Sequence, residues 1–280
     1  MGVSNECVLL TGGIDEATDV VVTSCHSMTH VVPGFFGFVD RARVLGVAAV
    51  PLHLGTDWEL PPSWSNAPTS SALLVAQPNN PTGNYFGNSC EWVAEASRHF
   101  QLVLIDETYR LLADEPRTPA YAMNMENVLS FVSFSKVYGL AGLRVGALVG
   151  DPTVIKELEP LCRFQSVSSP ALHGVLGAIE GQEDRTALLD DYKRMRRKYF
   201  AALSEFEAVV GKVVSTDCTF VLCQPSSRSA RQLVDDLAEL DVIVYDCAQM
   251  GMPGWIRIGV EDQSSLRAVC KALEHLASQL

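Results

Sequence analysis

The stretch SFSKVYGLAGLRVG at residues 133–146 decides the fold of this chain. It lies next to two apolar runs, at residues 128–132 and 145–149, whose length and composition are typical of buried strands. The stretch itself combines hydroxyl side chains, a lysine, glycines and an arginine. In α/β proteins, functional groups lie in loops at the carboxyl ends of strands. The sequence therefore predicts a functional site at this loop.

Further apolar runs precede this loop, at residues 20–22, 48–52, 73–76 and 102–105. Segments with helical periodicity, such as residues 91–99, separate several of the runs. This alternation is typical of a mainly parallel sheet that helices cover on both sides. We therefore expect an α/β fold for the first half of the chain.

The pattern changes after residue 167. Helices are predicted over residues 168–181, 183–209, 230–240 and 264–278, and strands over residues 219–223, 242–245 and 255–259. The sequence thus predicts a large domain over residues 1–183 and a small C-terminal α+β domain over residues 184–280. The Pro- and Ser-rich residues 59–71 are predicted as a surface loop. The basic cluster at residues 194–198 is predicted as a solvated helix face.

Composition restricts the classes of partner. The 280 residues include 21 basic and 33 acidic side chains, and this net charge of −12 argues against binding nucleic acid. No apolar run is long enough to span a membrane, and no export signal is evident. The eight cysteines show no C-x-x-C spacing, and His26 and His30 lack further ligands nearby. We expect a cytoplasmic protein with reduced thiols, no metal and no membrane partner.

Three more segments carry chemically informative residues. QPNNPTG at residues 77–83 follows an apolar run, and by itself it predicts only a turn. IDETY at residues 105–109 places Asp106 at the end of a strand, which is common in α/β enzymes. WIRIG at residues 255–259 places Arg257 in an apolar strand. A buried guanidinium needs a partner, so the sequence predicts either an internal acid or an anionic ligand there.

In this order, the four segments resemble the fold-type-I pyridoxal-phosphate enzymes of the class I/II aminotransferase group. The closest likeness is to the branch of histidinol-phosphate aminotransferases and threonine-phosphate decarboxylases, and it runs from about residue 8 to the C terminus. The resemblance implies the PLP-dependent transferase fold, with a mainly parallel seven-stranded sheet, helices on both faces and a smaller C-terminal α+β domain. It also implies pyridoxal 5'-phosphate as cofactor, an amino-acid substrate and a homodimer.

The resemblance assigns three catalytic residues. Lys136 would form the Schiff base with the cofactor and move protons at the substrate α-carbon. Asp106 would pair with the pyridine nitrogen and keep it protonated. Tyr109, together with Asn80, would hydrogen-bond the phenolic oxygen of the ring.

Further residues would bind the cofactor phosphate, as hydroxyl, guanidinium or helix N-terminal N–H donors. By the resemblance these are Ser133, Ser135 and Arg144, with the backbone N–H groups of Gly13, Ile14 and Asp15. Phe35 would stack on the cofactor ring, with a place in the apolar core as the alternative.

On the substrate side, Arg257 would bind the α-carboxylate, with Asn80 and Tyr245 beside it. The sequence departs from the family at Tyr245, because an arginine that binds a substrate phosphate often occupies the matching position. A tyrosine hydroxyl is uncharged, so we expect neither of the two phosphorylated substrates. The sequence also begins close to Gly13, where family members carry several dozen more residues. Either the site is more open, or other residues cover the substrate.

These observations favour an aminotransferase that acts on a small amino acid or amine through Lys136, in a biosynthetic pathway. The first alternative is an amino-acid decarboxylase of the threonine-phosphate decarboxylase type, because both reactions use the same motifs. The choice between them depends on which bond of the α-carbon lies perpendicular to the ring. A non-catalytic protein that retains the cofactor-binding site is the remaining alternative.

Overall fold

Residues 2–61, 64, 67 and 71–280 are described by the structure, a computed structural model, except for the side chains of residues 182–184. The surface loop predicted at residues 59–71 therefore lies largely outside the described residues. Within the described part, no helix is both long and apolar enough to cross a membrane.

A seven-stranded sheet forms the first half of the described chain. Its strands are β1 (Val8–Thr11), β2 (Ser27–Val32), β3 (Ala48–His53), β4 (Ser71–Ala76), β5 (Leu102–Asp106), β6 (Val128–Ser133) and β7 (Gly146–Val149). Their order across the sheet is β1-β7-β6-β5-β4-β2-β3. Strands β2 to β6 pair in parallel, whereas β7 is antiparallel to both of its neighbours. The predicted fold class, a mainly parallel α/β sheet, is confirmed.

Helices cover both faces of this sheet. They are α1 (Ile14–Thr23), α2 (Phe36–Leu45), α3 (Ser89–His99) and α4 (Pro152–Leu158). Successive residues of a strand point to opposite faces. Accordingly, Ala72 and Leu74 of β4 pack in one apolar cluster with α1, α2 and α4, while Leu73 and Val75 pack in another with α3. Every residue of β4 is therefore buried.

Two predicted strands are wrong. The strand predicted over residues 242–245 is reduced to Tyr245–Asp246, because residues 242–244 are not paired in a sheet. Residues 20–22 lie inside α1, where all three valines are fully buried. A short apolar run is compatible with either a strand or a buried helix, and here the helix starts with the acidic residues Asp15 and Glu16, which favour a helix N-terminus. The runs predicted at residues 48–52, 73–76, 102–105, 128–132 and 145–149 are strands β3 to β7. Strands β1 and β2 were not predicted.

A second, antiparallel sheet lies in the C-terminal part. Its strands are β8 (Lys212–Val214), β9 (Phe220–Gln224), β10 (Tyr245–Asp246) and β11 (Ile256–Gly259), in the order β10-β11-β9-β8. The accompanying helices are α5 (Ser169–Glu180), α6 (Gln182–Ser204), α7 (Glu207–Val210), α8 (Ala230–Glu239) and α9 (Gln263–Ala277). The helix predicted over residues 183–209 is thus two helices, because the chain turns at Phe206 and buries Val209 and Val210 beside Leu203.

The basic cluster of α6 is not uniformly solvated, contrary to prediction. Arg194 and Arg197 are exposed, but only 1% of the Arg196 side chain is accessible. Its guanidinium contacts Asp114 at 2.9 Å and donates to the carbonyl of Leu112 at 2.8 Å. Arg196 therefore ties α6 to the segment that follows Tyr109.

Candidate active site

Three neighbouring parallel strands end at one edge of the large sheet. The register pairs Ala76 of β4 with Asp106 of β5, and Asp106 with Phe131 of β6. Parallel strands with this register bring the loops that follow them together. The segments that contain Asn80, Asp106 and Lys136 therefore lie at the same edge.

Asp106 is a buried acid without a cationic partner among the described side chains. Its carboxylate accepts hydrogen bonds from the backbone N–H of Thr108 at 3.0 Å and from the Thr108 hydroxyl at 2.5 Å. Burial raises the pKa of Asp106 to about 6, against the opposing effect of these bonds. Thr108 was not predicted as a site residue, although an acid followed two residues later by threonine is a known turn pattern. A cation placed against Asp106 would stabilise its charged form.

Lys136 lies three residues beyond the end of β6. Within the described part of the chain, no carboxylate pairs with its amine. Partial burial lowers the pKa of Lys136, and the positive charges of Arg257 and Arg144 lower it further. A lowered pKa increases the fraction of neutral amine, which is the nucleophilic form.

A cavity of about 410 Å³ opens beside Lys136. Its walls come from the loop after β6 and from the junction of α5 and α6, and they include Val137, Leu189 and Tyr192. The guanidinium of Arg185 lies over the ring of Tyr138 at 5.0 Å in the same wall. The space next to the Lys136 amine is therefore large enough for a small molecule.

Arg144 and the N-terminus of α1 form an anion-binding arrangement. Gly13 is the N-cap of α1 with φ of 95°, and a Cβ added there would lie 2.9 Å from Nη2 of Arg144. The guanidinium also contacts the carboxylate of Asp15 at 3.2 Å, in an exposed ion pair. The first N–H groups of a helix, here including those of Ile14 and Asp15, have no acceptor within the helix. These groups and Arg144 together favour a bound anion.

Ser133 and Ser135 lie at the start of the same loop. Ser133 is buried, and its hydroxyl accepts a hydrogen bond from the backbone N–H of Ser135 at 3.1 Å. The cross-strand pair of Ser133 with Gly146 places the serines and the segment containing Arg144 on adjacent strands.

Asn80 and Arg257 contact each other directly. Nη1 of Arg257 donates to Oδ1 of Asn80 at 2.7 Å, and Asn80 is buried. The guanidinium also lies over the rings of Tyr245, at 4.3 Å, and Phe220, at 5.2 Å. No carboxylate among the described residues forms an ion pair with Arg257. Of the two predicted partners, an internal acid or an anionic ligand, the described structure supplies no acid.

Tyr109 is buried beside this group. Its ring meets the edge of Phe220 at 6.2 Å, with an interplanar angle of 87°. Burial raises the pKa of Tyr109, so its hydroxyl stays protonated and can donate a hydrogen bond. Phe220 thus links Tyr109 to Arg257. Phe220 was not predicted as a site residue, because an apolar residue in a strand usually belongs to the core.

The rings of Phe35 and Phe36, whose centres are 5.7 Å apart, have different further neighbours. Phe35 packs on the apolar cluster of α1 and α2, edge to face with Phe38 at 5.2 Å. Phe36 stacks on Tyr245 at 6.5 Å with an interplanar angle of 17°. Stacking of Phe35 on a cofactor ring stays a prediction. Phe36 was not predicted as a site residue.

The donor set fits pyridoxal phosphate. A phosphate matches Arg144 and the N-terminus of α1, a protonated ring nitrogen matches the unpaired carboxylate of Asp106, and an aldehyde carbon matches the amine of Lys136. The close approach of Arg144 to Gly13 leaves no room for a side chain at that N-cap. Arg257 remains available for a second anion.

Comparison with known proteins agrees with this chemistry. Residues 60–273 match the family described as aminotransferase class I and II. A histidinol-phosphate aminotransferase of Symbiobacterium thermophilum is 31% identical over 249 residues, which is 86% of this chain and 67% of the relative.

Two solved structures share the fold. A protein of Burkholderia pseudomallei, provisionally named an aminotransferase, is 30% identical with a TM-score of 0.86, and the match covers 98% of this chain and 83% of that one. The histidinol-phosphate aminotransferase of Sinorhizobium meliloti, solved with pyridoxal-5'-phosphate, has a TM-score of 0.85 at 20% identity, over 100% of this chain and 78% of that one. The chain belongs to the class I and II aminotransferases, and it is a pyridoxal-phosphate-dependent transferase with the type I fold.

Proposed function

We propose that this protein transfers the amino group of a small amino acid or amine by means of Lys136, in a biosynthetic pathway. The observation that carries this proposal is the pair of Arg257 and Asn80 at the edge where Lys136 lies. The Arg257 guanidinium has no carboxylate partner among the described residues, and it lowers the pKa of Lys136. A ligand with an amine and a carboxylate on one carbon complements an amine-reactive lysine and a nearby unpaired guanidinium.

Bound pyridoxal phosphate would supply an electron-accepting ring conjugated to the substrate nitrogen. Several residues would hold it in place. Asp106 would accept a hydrogen bond from the protonated ring nitrogen, while Asn80 and Tyr109 would donate to the ring oxygen. Phe35 would contact the ring face. The phosphate would be bound by the hydroxyls of Ser133 and Ser135, the guanidinium of Arg144, and the N–H groups of Gly13, Ile14 and Asp15.

Lys136 would then serve as the base. After substrate binding, the neutral amine of Lys136 would accept the proton from the substrate α-carbon. It would then return a proton to the former aldehyde carbon of the cofactor. The lowered pKa of Lys136 supports this role, because a larger fraction of the amine is neutral near pH 7. Arg257, with Tyr245 and Asn80 beside it, would fix the α-carboxylate and thereby orient the α-proton.

A single-turnover assay tests the reaction type. The protein is loaded with pyridoxal phosphate and mixed with single amino acids, and both keto acid and carbon dioxide are measured. The proposal predicts stoichiometric keto acid without carbon dioxide from at least one amino acid. Release of carbon dioxide without keto acid would instead establish the decarboxylase. A protein that binds the cofactor but forms neither product from any amino acid would support the non-catalytic role.

The proposal also concerns the domains, the oligomeric state and the location of the protein. We propose a cytoplasmic homodimer with domains at residues 1–183 and 184–280. Separate apolar clusters around the large sheet and around the small sheet support the division into domains. Self-association would bury apolar side chains that are exposed in the single chain, such as that of Phe164. Sedimentation equilibrium should give twice the monomer mass.

A further inference from the structure

Arg257 lies at the centre of a three-strand ladder in the small sheet. In the antiparallel register it is opposite Tyr245 on β10 and opposite Leu222 on β9. Residues directly opposite in an antiparallel pair place their side chains on the same face. The register of the sheet therefore places the side chains of Tyr245 and Arg257 next to each other.

Neutral groups hold the Arg257 guanidinium. It lies 4.3 Å from the centre of the Tyr245 ring, and Asn80 accepts one of its hydrogen bonds at 2.7 Å. The Tyr245 ring is in turn stacked on Phe36, which begins α2 beside the large sheet. The tyrosine ring is thus fixed between a guanidinium of the small sheet and the phenyl ring that begins α2.

Contact with an aromatic ring and contact with a carboxylate have different effects on the charge of Arg257. A carboxylate would fix the guanidinium but would also neutralise it. An aromatic ring attracts the cation through its quadrupole and leaves the net charge unchanged. Arg257 is long and flexible, so it loses side-chain entropy when it binds a ligand unless its position is already restricted.

We propose that Tyr245 is a positioning residue, which uses its ring rather than its hydroxyl to hold Arg257 ready for a substrate carboxylate. This inference rests on the proposed function. It distinguishes two roles for Tyr245, since a direct contact with substrate would require the hydroxyl, while the positioning role requires only the aromatic face.

The test measures recognition of a carboxylate without turnover. The protein loaded with pyridoxal phosphate is titrated calorimetrically with 2-methylalanine, and separately with tert-butylamine, in which a methyl group replaces the carboxylate. Neither ligand has an α-proton, so neither can be transaminated, and a parallel measurement of carbon dioxide checks that 2-methylalanine is not decarboxylated. The dissociation constant of tert-butylamine divided by that of 2-methylalanine reports the contribution of the carboxylate to binding. We expect Tyr245→Leu to reduce this ratio about tenfold and Tyr245→Phe to leave it within about twofold of the wild-type value.

Tyr85→Leu is the matched control. Tyr85 also lies under a guanidinium, that of Arg117 at 4.5 Å, but neither residue belongs to the site. This variant should keep the wild-type ratio. The proposal is overturned if Tyr245→Leu keeps the wild-type ratio, if Tyr245→Phe loses it as fully as Tyr245→Leu, or if the wild-type protein does not distinguish the two ligands. Failure of the proposed function would be seen separately, as an absence of keto acid in the single-turnover assay.

Discussion

The side chains of Arg257 and Asn80 meet at 2.7 Å although they are 177 positions apart. Arg257 comes from the small antiparallel sheet, and Asn80 comes from the loop after β4 of the large sheet. The contact joins the guanidinium available for an anion to the edge where Asp106 and Lys136 lie. Both sheets therefore contribute to one site.

Loss of the Arg257 charge should weaken substrate binding. We expect Arg257→Gln to lower kcat/KM for the best amino-acid donor by about 30-fold or more, because truncating a charge partner costs at least about 2 kcal/mol. The pKa of Lys136 should also rise, since Arg257 is one of the charges that lower it. Steady-state kinetics over a range of pH measure both effects. Arg267→Gln, an exposed change on α9, is the control, and an equal loss in that variant would contradict the assignment.

The buried acid predicts a pH dependence. Because the pKa of Asp106 is about 6 in the folded protein, against an ordinary value of 3.8, Asp106 binds more protons in the folded state between these pH values. The cofactor-free protein should therefore lose stability as pH rises from about 4 to 6, by about 3 kcal/mol from this group. Asp106→Asn should remove that part of the dependence, which urea unfolding at several pH values would measure.

Glu107 affects the same experiment, because burial raises its pKa to about 7 and its contribution has the same sign. Glu107→Gln is therefore the companion variant. Cofactor binding should show the opposite, unfavourable effect of the Asp106→Asn substitution. This variant should bind pyridoxal phosphate more weakly than the wild-type protein at pH 7. Identical pH profiles for Asp106→Asn and the wild-type protein would refute the predicted titration.

The N-cap of α1 should tolerate no side chain. Gly13→Ala combines a positive φ with a Cβ placed 2.9 Å from Arg144, so the guanidinium must move. We expect affinity for pyridoxal phosphate to fall about tenfold or more, measured by fluorescence titration. Gly46→Ala is a partial control: it also places alanine at a positive φ, of 70°, in the less strained left-handed helical region, and its Cβ meets nothing within 4 Å. If both variants bound the cofactor equally well, Arg144 would not be part of the phosphate site.

Two adjacent arginines of α6 should differ in their effect on stability. Arg196→Met leaves the buried carbonyl of Leu112 without its donor, and we expect a loss of about 3 kcal/mol in the free energy of unfolding. Arg197 contacts the same Asp114 but is exposed, so Arg197→Met should cost less than about 1 kcal/mol. Urea unfolding of both variants measures the difference, and equal losses would contradict the structural role of Arg196.

Local sequence patterns were sufficient for much of the fold. Strands β4 to β7 are compact apolar runs buried on both faces, and such runs are visible in the sequence. The apolar run of β3 was also recognised, although this strand lies at the edge of the sheet and only Leu52 is buried. Residues 20–22 misled the analysis because a buried helix can be as apolar as a buried strand. Strand β1 has only four residues and β2 mixes polar and apolar residues, so periodicity did not distinguish them from loops.

The site was predictable to the extent that it depends on short motifs. The order of the four segments predicted the family and the cofactor, both of which are confirmed, while the individual roles of the residues stay predictions. Thr108 was missed although its contact with Asp106 is local. Phe36 and Phe220 were missed because their part in the site depends on contacts between distant segments. Arg196 was misjudged for a related reason, since its burial depends on Asp114 and Leu112 from the large-sheet half of the chain.

The visible absorption spectrum of the protein with pyridoxal phosphate tests the central claim, that Lys136 is the residue that binds the cofactor covalently. The wild-type protein should show a visible band that persists after gel filtration, and Lys156→Ala, an exposed lysine of α4, should retain it. Lys136→Ala should lose the band while keeping its fold by circular dichroism. A band of unchanged position and intensity in Lys136→Ala would contradict the account.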